Sequence, residues 1–394
     1  MQDQFNIEIS PRVSENIDNH YESLAQKYRL SSVISGIVAG VLVLLMLLFG
    51  YKEFTYENIF YFIKDFDNVI SSDSYNIDYI EYGSGENRRY HCYRGGIVAS
   101  GKYDISVYSS AGRRTATFND EFVSPNVCVS LKYILAFDIG GNSFSVYNSF
   151  LRLYSETLDT GIYSAYVNDL GDFLIHTSTS DYRSVVYHYN DDFERVAAYY
   201  FVDYVTDAVI SNDGKHIYIT TMDVEKGEYI ATVNVYKTGK DQIIGQYCVQ
   251  GAMPLSGFEI TGGFCLLTEH TVVAINNNAE ATWRVELDDS AVPQLLASGN
   301  KGLVLMVKNK NDSSLMFISS RGDTKSILVD GSPIAIDMYD SSAYLLYNGT
   351  VIVYDFIKDE KTTRECPPDA CDILVLSDGE AYLCYSTRAI YCRF

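Results

Sequence analysis

The chain has 394 residues, with 51 Asp+Glu against 30 Lys+Arg and a formal net charge of −21. It is 47% hydrophobic and 21% charged, so it can bury a large core and is not disordered overall. The acid excess argues against nucleic-acid binding, which needs a basic face for phosphates, and against charge-driven docking on anionic lipid.

The residue skew, 34 Tyr and 19 Phe beside one Trp and 7 Pro, favours strands and points to an all-β body. The N-terminus departs from that rule. Residues 1–29 are polar and mixed in charge. Ile17, Tyr21, Leu24 and Tyr28 recur at helical spacing behind Ser14, a capping residue. Two readings stand for this tail, a short amphipathic helix that docks a cytoplasmic partner and a poorly ordered terminus. From Leu30 to Tyr51 no residue is charged. A bilayer takes about 20 apolar helical residues to cross, and a signal peptide has an apolar region of only about 7–15. The run is therefore read as an uncleaved transmembrane helix over 30–51. Gly36 and Gly40 form a small-xxx-small pair of the kind that packs helices. Lys27 and Arg29 precede the span, while Lys52 follows it beside Glu53 and Glu57. The positive-inside rule then puts the N-terminus in the cytoplasm and the rest outside. Residues 52–74 are aromatic (Phe54, Tyr56, Phe60, Tyr61, Phe62, Phe66) and read as a juxtamembrane helix or interfacial belt, broken by Ser71-Ser72-Asp73-Ser74.

Residues 75–394 alternate short apolar strands with Gly, Asn, Asp and Ser turns. First strands begin near positions 90, 126, 163, 205, 255, 293, 333 and 371. Such spacing, with four strands per unit, matches the blades of a WD40-like β-propeller, which recur at about 40–50 residues. The last unit, Cys371 to Phe394, offers only three strands, and Ile77-Asp78-Tyr79-Ile80-Glu81-Tyr82 is a strand left over before the first unit. It is expected to complete the last blade and close the ring. The expectation is eight four-stranded blades, with seven as the alternative.

The succession Ser124-Pro125-Asn126, then Leu131-Lys132-Tyr133-Ile134-Leu135-Ala136-Phe137-Asp138-Ile139-Gly140-Gly141-Asn142 and Phe144-Ser145-Val146-Tyr147, resembles the DUF5711 proteins of Firmicutes. So do Ser211-Asn212-Asp213-Gly214-Lys215 and Val233-Asn234-Val235-Tyr236, and so does the layout of tail, single span and propeller-like domain over roughly residues 30–394. The resemblance implies membrane attachment and a Gram-positive cell envelope, and it brings no activity. Quinoprotein-type propellers carry a Trp in each blade, whereas Trp283 is alone here.

No chemical signature emerges beside this frame. The histidines, His20, His91, His176, His188, His216 and His270, form no metal-spaced pair. His176 and His216, on second strands of neighbouring units, are the one pair that could meet in space; the plainer reading makes them ordinary strand residues. There is no GxSxG, P-loop or GxGxxG motif. Gly140-Gly141-Asn142, Asn212-Asp213-Gly214 and Ser377-Asp378-Gly379 read as hairpin turns, and Arg321-Gly322-Asp323 as a turn between third and fourth strands rather than an adhesion motif. The sequons at Asn311 and Asn348 are taken as chance matches. Eight cysteines without a CxxC look like small buried hydrophobes. Cys366 and Cys371, flanking Pro367-Pro368-Asp369-Ala370, are the plausible local disulfide and would staple the last two blades. No catalytic, cofactor or metal residue is assigned. The sequence thus predicts a single-pass membrane protein whose extracytoplasmic propeller binds a protein or envelope ligand without catalysis. The alternatives are a glycan-directed envelope enzyme and a scaffold for a secretion or division complex.

Overall fold

A computed structural model describes residues 11–49, 55–60 and 79–394, apart from 83–87, 111, 121, 289–290, 300 and 310–311. The chain divides into two units, 1–74 and 75–394.

In the first unit a single helix, α1, runs from Pro11 to Phe49. It takes in the amphipathic stretch and most of the apolar run without a break. Every side chain described on it, from Ala25 to Leu44, is exposed. That segment is long and apolar enough to cross a membrane. Open space surrounds Gly36 and Gly40. Beyond it a helical turn covers 56–60, capped where the Thr55 hydroxyl accepts from the Asn58 N–H at 3.2 Å. The aromatic stretch 61–69, the proposed break at 71–74 and the sequon residue Asn311 lie outside the described residues.

The second unit consists of thirty-two strands, β1 (Tyr79–Glu81) to β32 (Arg388–Arg393), in eight antiparallel four-stranded sheets. Seven sheets are simple meanders of consecutive strands. Their first strands start at Arg89, Pro125, Ser164, Tyr204, Pro254, Val292 and Ala335, each within two residues of the position read from the repeat. The eighth has the order β1-β32-β31-β30. Its first three strands come from the C-terminus, beginning at Asp372, and its outer strand from the start of the domain.

The same alternation of residues builds every blade. Second strands such as Phe173–Thr177 and Gly263–Thr268 are wholly buried, because both faces of each sheet pack on a neighbouring blade. Fourth strands face solvent; Glu360–Glu365 is exposed along its length. Eight clusters of buried apolar side chains result, one at each junction between successive blades. Between the second and third blades, for example, Phe173 stacks on Tyr189 at 4.7 Å and meets Phe144 edge-on at 5.8 Å. Eight junctions for eight sheets define a closed ring, an all-β eight-bladed propeller preceded by an apolar helix.

Closure depends on three residues of β1 and the one after it. Tyr79, Ile80 and Glu81 pair with Ile390, Ala389 and Arg388. The Tyr82 N–H donates to the Thr387 carbonyl at 3.0 Å. Its hydroxyl lies 2.6 Å from the Arg388 carbonyl and 2.8 Å from that of Tyr385, and Tyr90 from the first blade donates to the same Tyr385 carbonyl at 2.9 Å. Ile80 and Tyr82 are buried with Tyr90, Ile97, Tyr108 and Tyr382 in the cluster joining first and last blades.

The fourth blade departs from the sequence reading. Its second and third strands, His216–Glu225 and Glu228–Lys237, run ten residues each, well past the short strands expected there. The extension Thr220–Ile230 is largely polar. Its β-branched residues nevertheless pair throughout, and Lys226-Gly227, both at positive φ, close it as a tight two-residue turn. Gly140, Gly214 and Gly379 take positive φ, as their three turns require.

Candidate functional site

In this meander the turns from first to second and from third to fourth strand fall on one face of the ring. The turns from second to third strand and the links between blades fall on the other, called here the connecting face. The first strands surround the centre, most successive ones pack side by side, and β30 (Asp372–Ser377) meets β2 (Arg89–Tyr93).

Several buried titratable groups line this inner circle. Asp337 sits in an otherwise apolar strand, and burial pushes its carboxyl up to about 6. Its oxygens accept the Met338 N–H at 2.8 Å and, across the blade junction, the Val375 N–H at 2.7 Å. Asp207 occupies the equivalent strand of the fourth blade. Burial raises it to about 7, against the lowering effect of a hydrogen bond from the Gly257 backbone of the fifth. Glu259 of the fifth blade accepts the Asn212 N–H of the fourth at 2.8 Å. Each of these carboxylates accepts a backbone amide of a neighbouring blade, so they act as staples between blades rather than as free acids or bases. Nearby, burial depresses His91 to about 4, and burial with the charges of Asp337 and Asp372 lifts the Cys92 thiol to about 12. Sequence reasoning missed these staples; the available signal was a lone acid inside an apolar strand, as in Ile336-Asp337-Met338.

The remaining sequence candidates are dispersed. His176 stands at the fourth position of a five-residue second strand and His216 at the first position of the next blade's. Equivalent strands run in the same sense, so the two occupy opposite ends. The His176 ring packs on Tyr163 at 5.1 Å, with Nδ1 3.3 Å from the Ser164 hydroxyl, and burial depresses it to about 4. Among the described residues no group of three or more His, Cys, Asp or Glu is placed to hold a metal ion. Arg321-Gly322-Asp323 forms the turn after β24 (Ser313–Ser319), where the Ser319 hydroxyl accepts the N–H groups of Arg321 and Asp323.

Cys366 and Cys371 are both free thiols. The Cys371 thiol donates to the Cys384 carbonyl at 3.2 Å, and the Cys366 N–H donates to the Gly349 carbonyl at 3.0 Å. All eight cysteines are free, with Cys248 and Cys371 exposed and Cys265 and Cys384 buried. Burial raises Cys128 to about 12 and lifts Cys265 and Cys384 further. A maleimide at neutral pH is therefore expected to label Cys248 and Cys371 in the folded protein and the buried thiols only after denaturation. Intact-mass spectrometry reads this directly. Labelling of Cys265 or Cys384 without denaturant would contradict the packing, and a mass gain on reduction with loss of Cys371 labelling would show that Cys366 and Cys371 pair in an oxidising compartment.

A cavity lies between the second and third blades, reaching from the links of the connecting face to the start of the third blade's outer strand. It encloses about 420 Å³. Its walls are Glu156 and Thr157 at the end of one outer strand, Leu158-Asp159-Thr160 in the link between blades, Thr179 and Ser180 in the next turn, and Tyr187 and Arg195 from the third blade. The Arg195 guanidinium lies over the Tyr187 ring at 4.6 Å. Glu156 accepts from the Tyr154 hydroxyl at 2.7 Å, and the Thr160 hydroxyl meets that of Thr177 at 2.9 Å. The turn that supplies Thr179 and Ser180 also carries Tyr182 and Arg183. Tyr182 packs on Tyr200 at 5.0 Å, and Arg183 lies over Tyr204 at 4.9 Å. No motif marks these residues, and none was singled out in the sequence. They converge only because the register of two blades brings them together.

The family comparison matches residues 66–391 to DUF5711, a family of unknown function. The chain belongs to the DUF5711 family. No curated protein matches this DUF5711 sequence. Among solved structures it is similar to the dihydro-heme d1 dehydrogenase NirN in complex with DHE, at 10% identity and TM-score 0.52, over 73% of this chain and 67% of that one. It is also similar to apo AztD from Citrobacter koseri, at 13% identity and TM-score 0.50, over 72% and 86% respectively. At such identities the likeness concerns the fold alone.

Proposed function

We propose that this DUF5711 protein is a membrane-tethered binding module. In this reading α1 crosses the cytoplasmic membrane with its N-terminus inside, and the propeller stands on the outer side, where its connecting face holds a ligand or partner. Support for the tether comes from Val33, Ile34, Ile37, Val38, Val41 and Leu42, all more than 45% exposed on α1, an arrangement that lipid satisfies and water does not. Support for the orientation comes from Lys27 and Arg29 ahead of the span.

The observation that carries the binding role is the cavity between the second and third blades, a preformed concavity on a rigid ring with polar groups converging on it. Binding rather than catalysis is favoured because Glu156 already commits an oxygen to Tyr154 and the buried carboxylates of the inner circle are held by backbone amides. The test is protease access. Added to cells stripped of their wall, protease should degrade the propeller and leave the N-terminal tail intact. Full protection of residues 75–394 until the membrane is opened would overturn the placement.

A further inference from the structure

We propose that the cavity between the second and third blades takes a neutral saccharide. This rests on the binding-module reading and names the chemistry of its ligand. Three of the lining side chains, Arg195, Asp159 and Ser180, have no hydrogen-bond partner among the described residues. Arg195 offers only donors, Asp159 only acceptors, and Ser180 both. An anion drawn to Arg195 would lie against Asp159 and Glu156, and a cation drawn to those carboxylates would lie against Arg195. A sugar hydroxyl donates and accepts at once and carries no charge, so it satisfies all three groups.

Further hydroxyls line the same space, from Thr157, Thr160 and Thr179. Aromatic rings, which can stack on the apolar face of a sugar ring, accompany them. Tyr187 forms part of the wall. Tyr163, half exposed, reaches the adjoining turn through a 3.3 Å contact between its hydroxyl and that of Ser178. Tyr182 follows on the same turn. The volume, about 420 Å³, is within the roughly 300–1,000 Å³ of pockets that enclose small ligands.

The test uses the full chain in lipid nanodiscs, titrated calorimetrically with maltohexaose and with the hexamer of N-acetylglucosamine. Oligolysine and oligoglutamate serve as the charged comparators. Saturable binding of at least one neutral sugar is expected, weakened about tenfold by Arg195→Gln or Asp159→Asn, each of which removes a charged hydrogen-bonding partner of the sugar. Arg321→Gln, on an exposed turn of the opposite face, should bind as the parent does, and matched melting curves establish that the variants fold. The proposal falls if neither sugar binds, if the two pocket variants bind as tightly as the parent, or if only oligolysine or oligoglutamate binds. Chemical crosslinking of a partner to the connecting face, with no sugar binding, would leave the module reading standing and remove the saccharide.

Discussion

A chain that begins at Arg88 is expected to lose the propeller, whereas one that begins at Tyr75 keeps it. The two differ by the strand that closes the ring. Without it, β32 presents an unpaired edge, the kind of surface that templates aggregation. The cluster between first and last blades also loses Ile80 and Tyr82, which are 1% and 3% exposed. Burying two such side chains contributes about 1.5–3 kcal/mol each. The lost ladder and the Tyr82 contacts to Tyr385 and Arg388 add to that. The sum is comparable with the whole stability of an ordinary domain, about 5–15 kcal/mol. Circular dichroism melts and size exclusion should show the longer fragment monomeric with a cooperative transition and the shorter one aggregated or without a transition. Equal melting of the two fragments would mean that β1 is dispensable and the ring closes by other contacts. Tyr82→Phe gives the graded version. It keeps the ring packing and removes the Tyr82 donor, while the Tyr90 hydroxyl still reaches the Tyr385 carbonyl and the Tyr385 N–H the Arg388 carbonyl, and it should cost about 0.5–1.5 kcal/mol.

The ease with which the ring could be read from sequence, and the difficulty of reading the cavity, have one physical origin. A blade is a local object. Its four strands follow one another through short turns, so a largely buried second strand bounded by turn residues recurs from blade to blade. Even the closing strand was legible, because the last unit lacked a strand and the first had one to spare. The proposed site, by contrast, lies between blades. Glu156 and Arg195 share a cavity only after one blade's outer strand is laid against the next blade's sheet, and Thr179 or Ser180 in a turn carries no pattern that distinguishes it from any other turn. The fourth blade's long hairpin was hidden for a related reason. Its outer half is exposed and polar, and strand reading relies on apolar alternation that only burial enforces. Metal, nucleophile and phosphate motifs do not report a cavity of this kind, since hydroxyl and guanidinium groups that line it need no fixed spacing in the chain.

The buried acids of the inner circle predict how stability depends on pH. Asp207 has a folded value of about 7 and an unfolded reference of 3.8. A carboxyl raised on folding favours the folded state while protonated. Its contribution is complete below the unfolded value and is lost as pH rises through about 7. Asp337, at about 6, acts in the same sense at slightly lower pH. His91 and His176 act oppositely. Both fall to about 4 on burial from 6.5, so the unfolded chain takes up their protons first and stability declines as pH drops from above 6.5 toward 4. Between about pH 4 and 6 the two acids and the two histidines oppose each other with nearly equal slopes, so the parent's melting temperature should change little there and the acid term must be isolated by substitution.

Asp207→Asn isolates the alkaline limb. The amide oxygen can still accept the Gly257 N–H, and the ionisation is gone, so the variant's stability relative to the parent should rise from pH 5 to pH 8 by an amount on the order of 3 kcal/mol. Asp337→Asn should not give this gain. Both Asp337 oxygens accept backbone N–H groups, from Met338 and Val375, and an amide nitrogen in place of one oxygen sets donor against donor at a cost of about 1–3 kcal/mol. Urea melts of the three proteins at the two pH values decide the matter. An Asp207→Asn variant whose stability relative to the parent does not grow between pH 5 and 8 would mean that Asp207 titrates near its ordinary value and that the inner circle is wetter than its packing implies.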